Sequence, residues 1–192
     1  MRKIRLLLAA GMASALALTT APAAQASPQT ALASASALSE VRAQHGTRQL
    51  SAQDLAFLRA SHQGNLAEIW AGSTAQVKGQ CADVRHLGAM LVRDHLRLDA
   101  NGFAVAVPHG VLLPMAPTAQ QRGELKEVAA KSGREFDLAW LRMQVEAHIA
   151  TLELGQRQLE LGHSPEVKRL AREAAPVIQH HLDRARAALI TC

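Results

Sequence analysis

From Ser51 onward, no stretch of this chain alternates apolar and polar residues as a half-buried strand must. Apolar residues instead return every three to four positions, the period of a helix face, and caps and breakers divide that pattern into long segments. Ser51 with Asp54 reads as a capping box, and the first segment runs to about Lys78, where Gly79 supplies the stop. A second begins near Cys81 or Ala82 and ends before Pro108, and Pro108-His109-Gly110 through Pro114 reads as a loop. Thr118 with Gln121 caps a short helix. Ser132 with Glu135 caps the third long helix, which stops at Gly162, and Ser164-Pro165 opens the fourth with Pro in the first turn, where it is tolerated. The expected architecture is all-α: a four-helix bundle over residues 51–192 with a long connection between its second and third helices.

The segment before the bundle carries a different signal. Arg2, Lys3 and Arg5 precede an apolar run from Leu6 to Leu18, followed by small residues up to Ala24-Gln25-Ala26. This is the layout of a cleavable Sec-type signal peptide over residues 1–26, so the mature protein is expected to be exported, to a periplasm or beyond. Residues 27–50, rich in Ala, Ser and Gln, read as a flexible arm. No later run approaches the roughly 20 apolar residues of a membrane span. Removing the three leader charges from the 21 basic residues leaves 18 against 16 acidic ones, so the basic balance is mainly a leader effect and no nucleic-acid footprint. Tyr is absent and Phe and Trp together number 5, which argues against base-stacking platforms and aromatic-lined ligand pockets.

An oxidising compartment permits Cys81 and Cys192 to form one disulfide, although two unpaired thiols are the plainer expectation. Topology decides whether they meet. The segment between the second and third helices is long enough to cross the length of the bundle, and that crossover is the expected topology; the start of the second helix and the end of the fourth then share one end, bringing Cys81 near Cys192, whereas in a simple up-down bundle they lie at opposite ends.

Met90-Leu91-Val92-Arg93-Asp94-His95 and Met143-Gln144-Val145-Glu146-Ala147-His148 share M-x-V-x-x-H, a match short enough to arise by chance. A closer one joins the second and fourth helices: Asp83-Val84-Arg85-His86-Leu87 mirrors Glu166-Val167-Lys168-Arg169-Leu170, and each run leads to a His-Leu pair, at 95 and 181. The two helical hairpins read as copies of one another.

Polar residues inside the apolar faces carry the functional signal. On the third helix, Leu138, Leu141, Val145, Leu152 and Leu159 form one stripe and Phe136, Met143, Leu154 and Leu161 a second, with Asp137, Gln144, His148 and Gly155 between them. On the second, His95 projects between Val84, Leu87, Leu91, Leu98 and a flank of Val92, Leu96, Phe103. On the fourth, Val167, Leu170, Ala174, Val177, Ile178 and Ala185 surround His181, while His180 faces outward. On the first, the main stripe is Leu55, Leu58, Leu66 and Ile69; Glu68 shares a narrower face with Phe57, Ser61, Gly64 and Ala75, and His62 competes with it as a site residue. Buried ionisable groups cost several kcal/mol unless paired, hydrogen-bonded or metal-bound. At about 1.5 Å per residue, Glu68, His95, His148 and His181 all fall near mid-bundle, where facing helices converge on a cofactor. Three imidazoles and one carboxylate suit iron, copper or zinc better than magnesium or calcium. Asp94, Asp99 and Asp137 are candidates to orient the rings. The alternative is that each histidine is satisfied separately by a carbonyl, a carboxylate or water.

Phe57-Leu58, Asn65-Leu66-Ala67-Glu68, Met90 through His95, Val111-Leu112-Leu113-Pro114, Gly133-x-x-Phe136-Asp137 and His180-His181-Leu182, in this order over about Ser51 to Leu189, resemble the bacterial domain of unknown function 4142 family. The resemblance implies a ferritin-like helical bundle, usually exported, without an assigned activity. It maps the family's acidic residue to Glu68, its Asp-His pair to Asp94-His95, its Phe-Asp to Phe136-Asp137, its next His to His148 and its His-Leu to His181-Leu182. Two positions depart: Trp140 stands where a Tyr is common, and Ala147 where an Asp often precedes the third-helix His. The chain has Val92-x-x-His95 and Ile178-x-x-His181 where a di-iron centre needs Glu-x-x-His, which disfavours a ferroxidase site. No nucleophile-elbow, P-loop, dinucleotide or zinc-protease motif is present, and the cysteine count excludes C-x-x-C-H haem attachment. The functional expectation is an exported bundle holding one transition-metal ion, in metal handling or envelope stress; the alternative is a non-catalytic structural or partner-binding module.

Overall fold

The structure, a computed structural model, describes residues 49–192; the expected signal peptide and nearly all of the expected arm lie outside the described residues. Leu50 packs beside Phe57 and Leu58. Helix α1 (Ala52–Lys78) starts as expected: the Ser51 hydroxyl accepts from the Asp54 amide at 3.1 Å, and Asp54 Oδ2 accepts from the Ser51 amide at 2.9 Å. Helix α2 (Ala82–Ala106) follows a three-residue turn and runs into a 3-10 turn (Val107–His109) ended by Gly110, whose φ of 65° suits glycine. Helix α3 (Ala119–Ala129) is short and boxed by Thr118 and Gln121, α4 spans Gly133–Leu161, and α5 spans Pro165–Thr191, continuing through Pro176. Among the described residues there is no strand. One cap departs from expectation. Ser132 precedes α4 without a side-chain bond to it, and Glu135 pairs instead with Lys131 at 2.5 Å.

The long connection crosses the bundle. Its Pro114 and Ala116 carbonyls meet His62 and Gln63 on α1, Leu125 of α3 packs on Ala67 and Ala71 one and two turns further on, and Ala129 meets Lys78 at the far end. Helices α1 and α5 therefore run one way and α2 and α4 the other. This brings the start of α2 to the end of α5, where Cys81 and Cys192 are disulfide-bonded with Cα atoms 5.8 Å apart. The unpaired-thiol expectation is thus corrected, for the topological reason given above.

Two buried carboxylates tie the hairpins together. Asp54, in the first turn of α1, accepts from the Gln158 side chain at 2.6 Å and from the His163 and Ser164 amides in the α4–α5 turn. Asp137, in the first turns of α4, accepts from the Gln80 and Cys81 amides in the α1–α2 turn at 3.1 and 2.8 Å. Burial alone would raise the Asp54 carboxyl, but hydrogen bonds from Ser51, Gln158 and Ser164 outweigh it and hold the group below its ordinary value.

The core follows the stripes with corrections. Val84, Leu87, Leu91, Phe136, Trp140 and Leu141 fill one end, and Trp140 donates its indole N–H to the Ala71 carbonyl at 3.0 Å. Leu96, Phe103 and Leu161, expected on inner flanks, are exposed. On α1 the small-residue face with Phe57, Glu68 and Ala75 is buried in the bundle together with Leu58; Ala67 and Ala71 pack on Leu125 of the crossing connection, and Leu55, Leu66 and Ile69 stay half-buried. Gly72 and Gly88 let α1 and α2 approach, since a Cβ on Gly72 would sit 2.5 Å from the Gly88 carbonyl oxygen.

Candidate metal centre

Four helices contribute to one buried polar cluster at mid-bundle. Helix α2 supplies Asp94 and His95, α4 supplies Gln144 and His148 one turn apart, α5 supplies His181, and α1 supplies Asn65 and Glu68. The three rings are 1–2% exposed. One nitrogen from each of His95, His148 and His181 lies within 4.8 Å of the others. Ring centroids are 5.4 to 5.8 Å apart.

Hydrogen bonds determine which nitrogen of each ring carries its proton. His148 Nδ1 lies 2.8 Å from the Gln144 carbonyl, which only accepts, so Nδ1 donates and Nε2 is bare. His181 Nε2 lies 3.1 Å from Asp94 Oδ2. The Arg93 guanidinium, bound to both Asp94 oxygens, holds that carboxyl down to about 2, so it is ionised, His181 Nε2 donates and Nδ1 is bare. His95 Nδ1 lies 2.9 Å from Asn65 Oδ1, and the Asn65 amide nitrogen turns toward Asp99; His95 Nε2 is bare and has no partner.

Two bare nitrogens therefore face each other: His148 Nε2 and His181 Nδ1, at 3.3 Å with no proton between them. Opposed lone pairs in a buried, low-dielectric site repel. The spacing is that of two ligands on one tetrahedral ion, which at metal–nitrogen bonds of about 2.0–2.1 Å lie roughly 3.3–3.4 Å apart. Burial, followed by the neighbouring rings, pushes His95 well below its ordinary value, and burial pushes His148 down to about 4; His181 is lowered by burial against the opposing pull of Asp94. All three rings are neutral at physiological pH, the form that binds metals.

Of the four residues singled out from sequence, the structure brings three together. Glu68 stands beside them: its Oε1 is 3.9 Å from His148 Nδ1, on the side of that ring already committed to Gln144, and its Oε2 has no partner. Burial pushes its carboxyl up to about 8. His62 is separately satisfied, with Nδ1 2.7 Å from Asp99 and Nε2 2.8 Å from the Pro114 carbonyl. Of the three candidate orienting acids, Asp94 serves a cluster histidine, Asp99 serves His62 and Asn65, and Asp137 caps a turn. Asn65 was not legible as the partner of His95; its signal is its place one turn before Glu68 on the same face.

A family model described as "Domain of unknown function (DUF4142)" matches residues 39–188. Among solved structures, the chain is similar to the crystal structure of a DUF305 fragment from Deinococcus radiodurans, with a TM-score of 0.67, 14% identity, and coverage of 75% of this chain and 99% of that one. At that identity the likeness speaks to the fold, a ferritin-like helical bundle. No curated protein matches.

Proposed function

The chain belongs to the domain of unknown function 4142 family, and because that description names no chemistry, we propose from its own residues that it is an exported bundle binding one transition-metal ion through His95, His148 and His181. The observation that carries this reading is the 3.3 Å contact between His148 Nε2 and His181 Nδ1, two nitrogens that the bonds of the opposite ring nitrogens to the Gln144 carbonyl and the Asp94 carboxylate leave bare on neutral rings. A cation between them converts a repulsive contact into shared coordination. Asp94 orients His181 as carboxylates do behind metal-bound histidines and offsets part of the ion's charge, and the Gln144 carbonyl and Asn65 orient His148 and His95. An all-imidazole set suits zinc, copper or iron and does not suit magnesium or calcium. Coupled to the export signal expected over residues 1–26, the reading is a metal-handling or envelope-stress role outside the cytoplasm.

The test is metal analysis of the mature protein purified without a His-tag, beside a His148→Ala variant. One equivalent of metal in the wild type, lost in the variant and raising the thermal midpoint relative to chelator-treated protein, is the expected result. Metal retained undiminished by His148→Ala, or equal midpoints with and without chelator, would leave the structural-module reading in its place.

A further inference from the structure

The bundle is not filled on one side of the histidine cluster. A cavity of 460 Å³ lies among α1, α2, α4 and α5, reaching from Glu68 and His95 at one end to Phe57 and Leu159 at the other. Along α1, Phe57 to Glu68 is about 16 Å at the helical rise. The wall is aliphatic, with Leu98, Leu152, Leu154, Leu170 and Ile178 on it. Asn65, Thr151 and Asn101 also line it, and Glu153, Gln156, Glu173 and Gln179 stand exposed at its open rim. Two polar atoms on the wall are buried and unpaired. Glu68 Oε2 and His95 Nε2 belong to residues 7% and 2% exposed that line the cavity, and neither has a hydrogen-bond partner.

Three wall glycines enlarge the space without serving helix packing. At Gly64, Gly102 and Gly155 a Cβ would meet no atom within 4 Å, in contrast to Gly72 and Gly88 at the α1–α2 contact. A mid-helix glycine costs roughly 0.5–1 kcal/mol relative to alanine, and here no close helix approach offsets it. A long apolar cavity with polar atoms at one end matches a molecule with a long apolar body and a polar end.

We propose that this cavity binds a single aliphatic chain ending in one oxygen-bearing head, with the head at Glu68 and His95 and the tail toward Phe57. An extended chain advances about 1.3 Å per bond, so a length of about 16 Å takes roughly twelve bonds, a chain of about twelve carbons with its head oxygen. The shared chemistry is that of a medium-chain carboxylic acid or alcohol. The proposal goes beyond the metal reading: Glu68 and the cavity are present with or without an ion, while His95 Nε2 serves the head only in the metal-free protein, the form that is titrated.

The test is calorimetric titration of the chelator-treated mature protein with saturated carboxylic acids of four to eighteen carbons below their micelle-forming concentrations, with 1-dodecanol as the second head group. Saturable one-to-one binding is expected, tightening about fourfold per added methylene up to roughly twelve carbons and then levelling. Preference for dodecanoic acid or for 1-dodecanol identifies the head. Glu68→Leu weakens dodecanoic acid at least tenfold, and the double substitution Gly64→Leu with Gly155→Leu, which fills the cavity, abolishes binding without lowering the thermal midpoint. Absence of saturable binding by the wild type to both head groups, affinity that climbs without levelling to eighteen carbons, or undiminished binding by a folded double variant would overturn the proposal.

Discussion

Asp54 and Asp137 are equivalent residues at opposite ends of the bundle: each lies in the opening turns of one hairpin's first helix and accepts two backbone amides from the turn of the other hairpin. This reciprocity is the structural counterpart of the internal match between Asp83–Leu87 and Glu166–Leu170. It also explains why two carboxylates 0% and 2% exposed are tolerated in the interior. Asp54→Ala or Asp137→Ala strands buried donors and is expected to cost about 2–4 kcal/mol each. The two sites are separated by about 40 Å, the length of α1, so the double variant should show the sum of the single losses in urea unfolding; a marked shortfall would mean that the carboxylates are not independent clamps.

Acid should act through Asp54 in particular. Its folded value is depressed below 3.8, so its contribution is complete above that value and is lost as pH falls through the lower folded value. The wild type should therefore lose more stability below pH 3.8 than Asp54→Asn does, as followed by circular dichroism on acid titration. Parallel curves would show that the carboxylate is not held in its charged form.

The Cys81–Cys192 disulfide closes 111 residues of sequence separation, enclosing all of the bundle except α1. Loops of that size lower the entropy of the unfolded chain by an amount worth about 3–5 kcal/mol in the chain-entropy account. The unreduced mature protein should contain no titratable thiol, and Cys81→Ser should lower unfolding stability by that amount while leaving the helical spectrum intact. Two free thiols in the unreduced protein would contradict the pairing.

The fold was legible where local chemistry acts alone. The Ser51, Thr118 and Ser164 caps and the stops at Gly79 and Gly162 stand where the sequence places them, because a cap needs only its own first turn. Ser132 fails the same rule. Periodicity placed His95, His148 and His181 in the interior but left α1 ambiguous, where two faces carry apolar residues and both Leu58 and the small-residue face of Phe57, Glu68 and Ala75 are buried. What a buried polar group bonds to depends on helices far away in sequence, so the roles of Asn65 and Asp137 and the position of Glu68 beside the convergence of the histidines needed coordinates.

The depressed histidines predict an unusual pH dependence for metal uptake. Ordinary imidazole ligands lose metal as pH falls below their value near 6.5, but here protons compete only once a ring such as His148, at about 4, accepts one. Metal affinity measured against a competing chelator should be nearly flat from pH 7.5 to 6 and fall below about 5. Asp94→Ala, which frees His181 to take the other tautomer, should weaken affinity by roughly 10–100-fold. An affinity falling tenfold per unit from pH 6.5 downward would show that the rings are solvated.

Glu68 gives the metal-free protein the opposite slope. Its folded value of about 8 lies above the ordinary 4.5, so the stability it contributes is complete below 4.5 and is lost as pH rises through 8. The histidines, lowered in the fold, contribute no slope above 6.5. Between pH 6.5 and 8 chelator-treated wild type should therefore lose stability while Glu68→Gln does not, as read from urea midpoints at each pH. Identical slopes would place the Glu68 carboxyl in water.

Two glycines on α1 should respond in opposite senses to one added methyl group. At Gly72 a Cβ would lie 2.5 Å from the Gly88 carbonyl oxygen and 3.0 Å from Val92 Cγ2, and a backbone atom inside a helix cannot step aside, so α1 and α2 must separate. Overpacking of that kind costs about 1–3 kcal/mol, and the strain falls on the hairpin that carries His95. At Gly64, eight residues earlier, nothing lies within 4 Å, and alanine brings only the helix-propensity gain of about 0.5–1 kcal/mol. Gly72→Ala should lower the urea midpoint and Gly64→Ala raise it, with unchanged denaturant slope in both. A lowered midpoint for Gly64→Ala would mean that the space beside Glu68 is closed in solution, which would remove the basis for a ligand there while leaving the three histidines untouched.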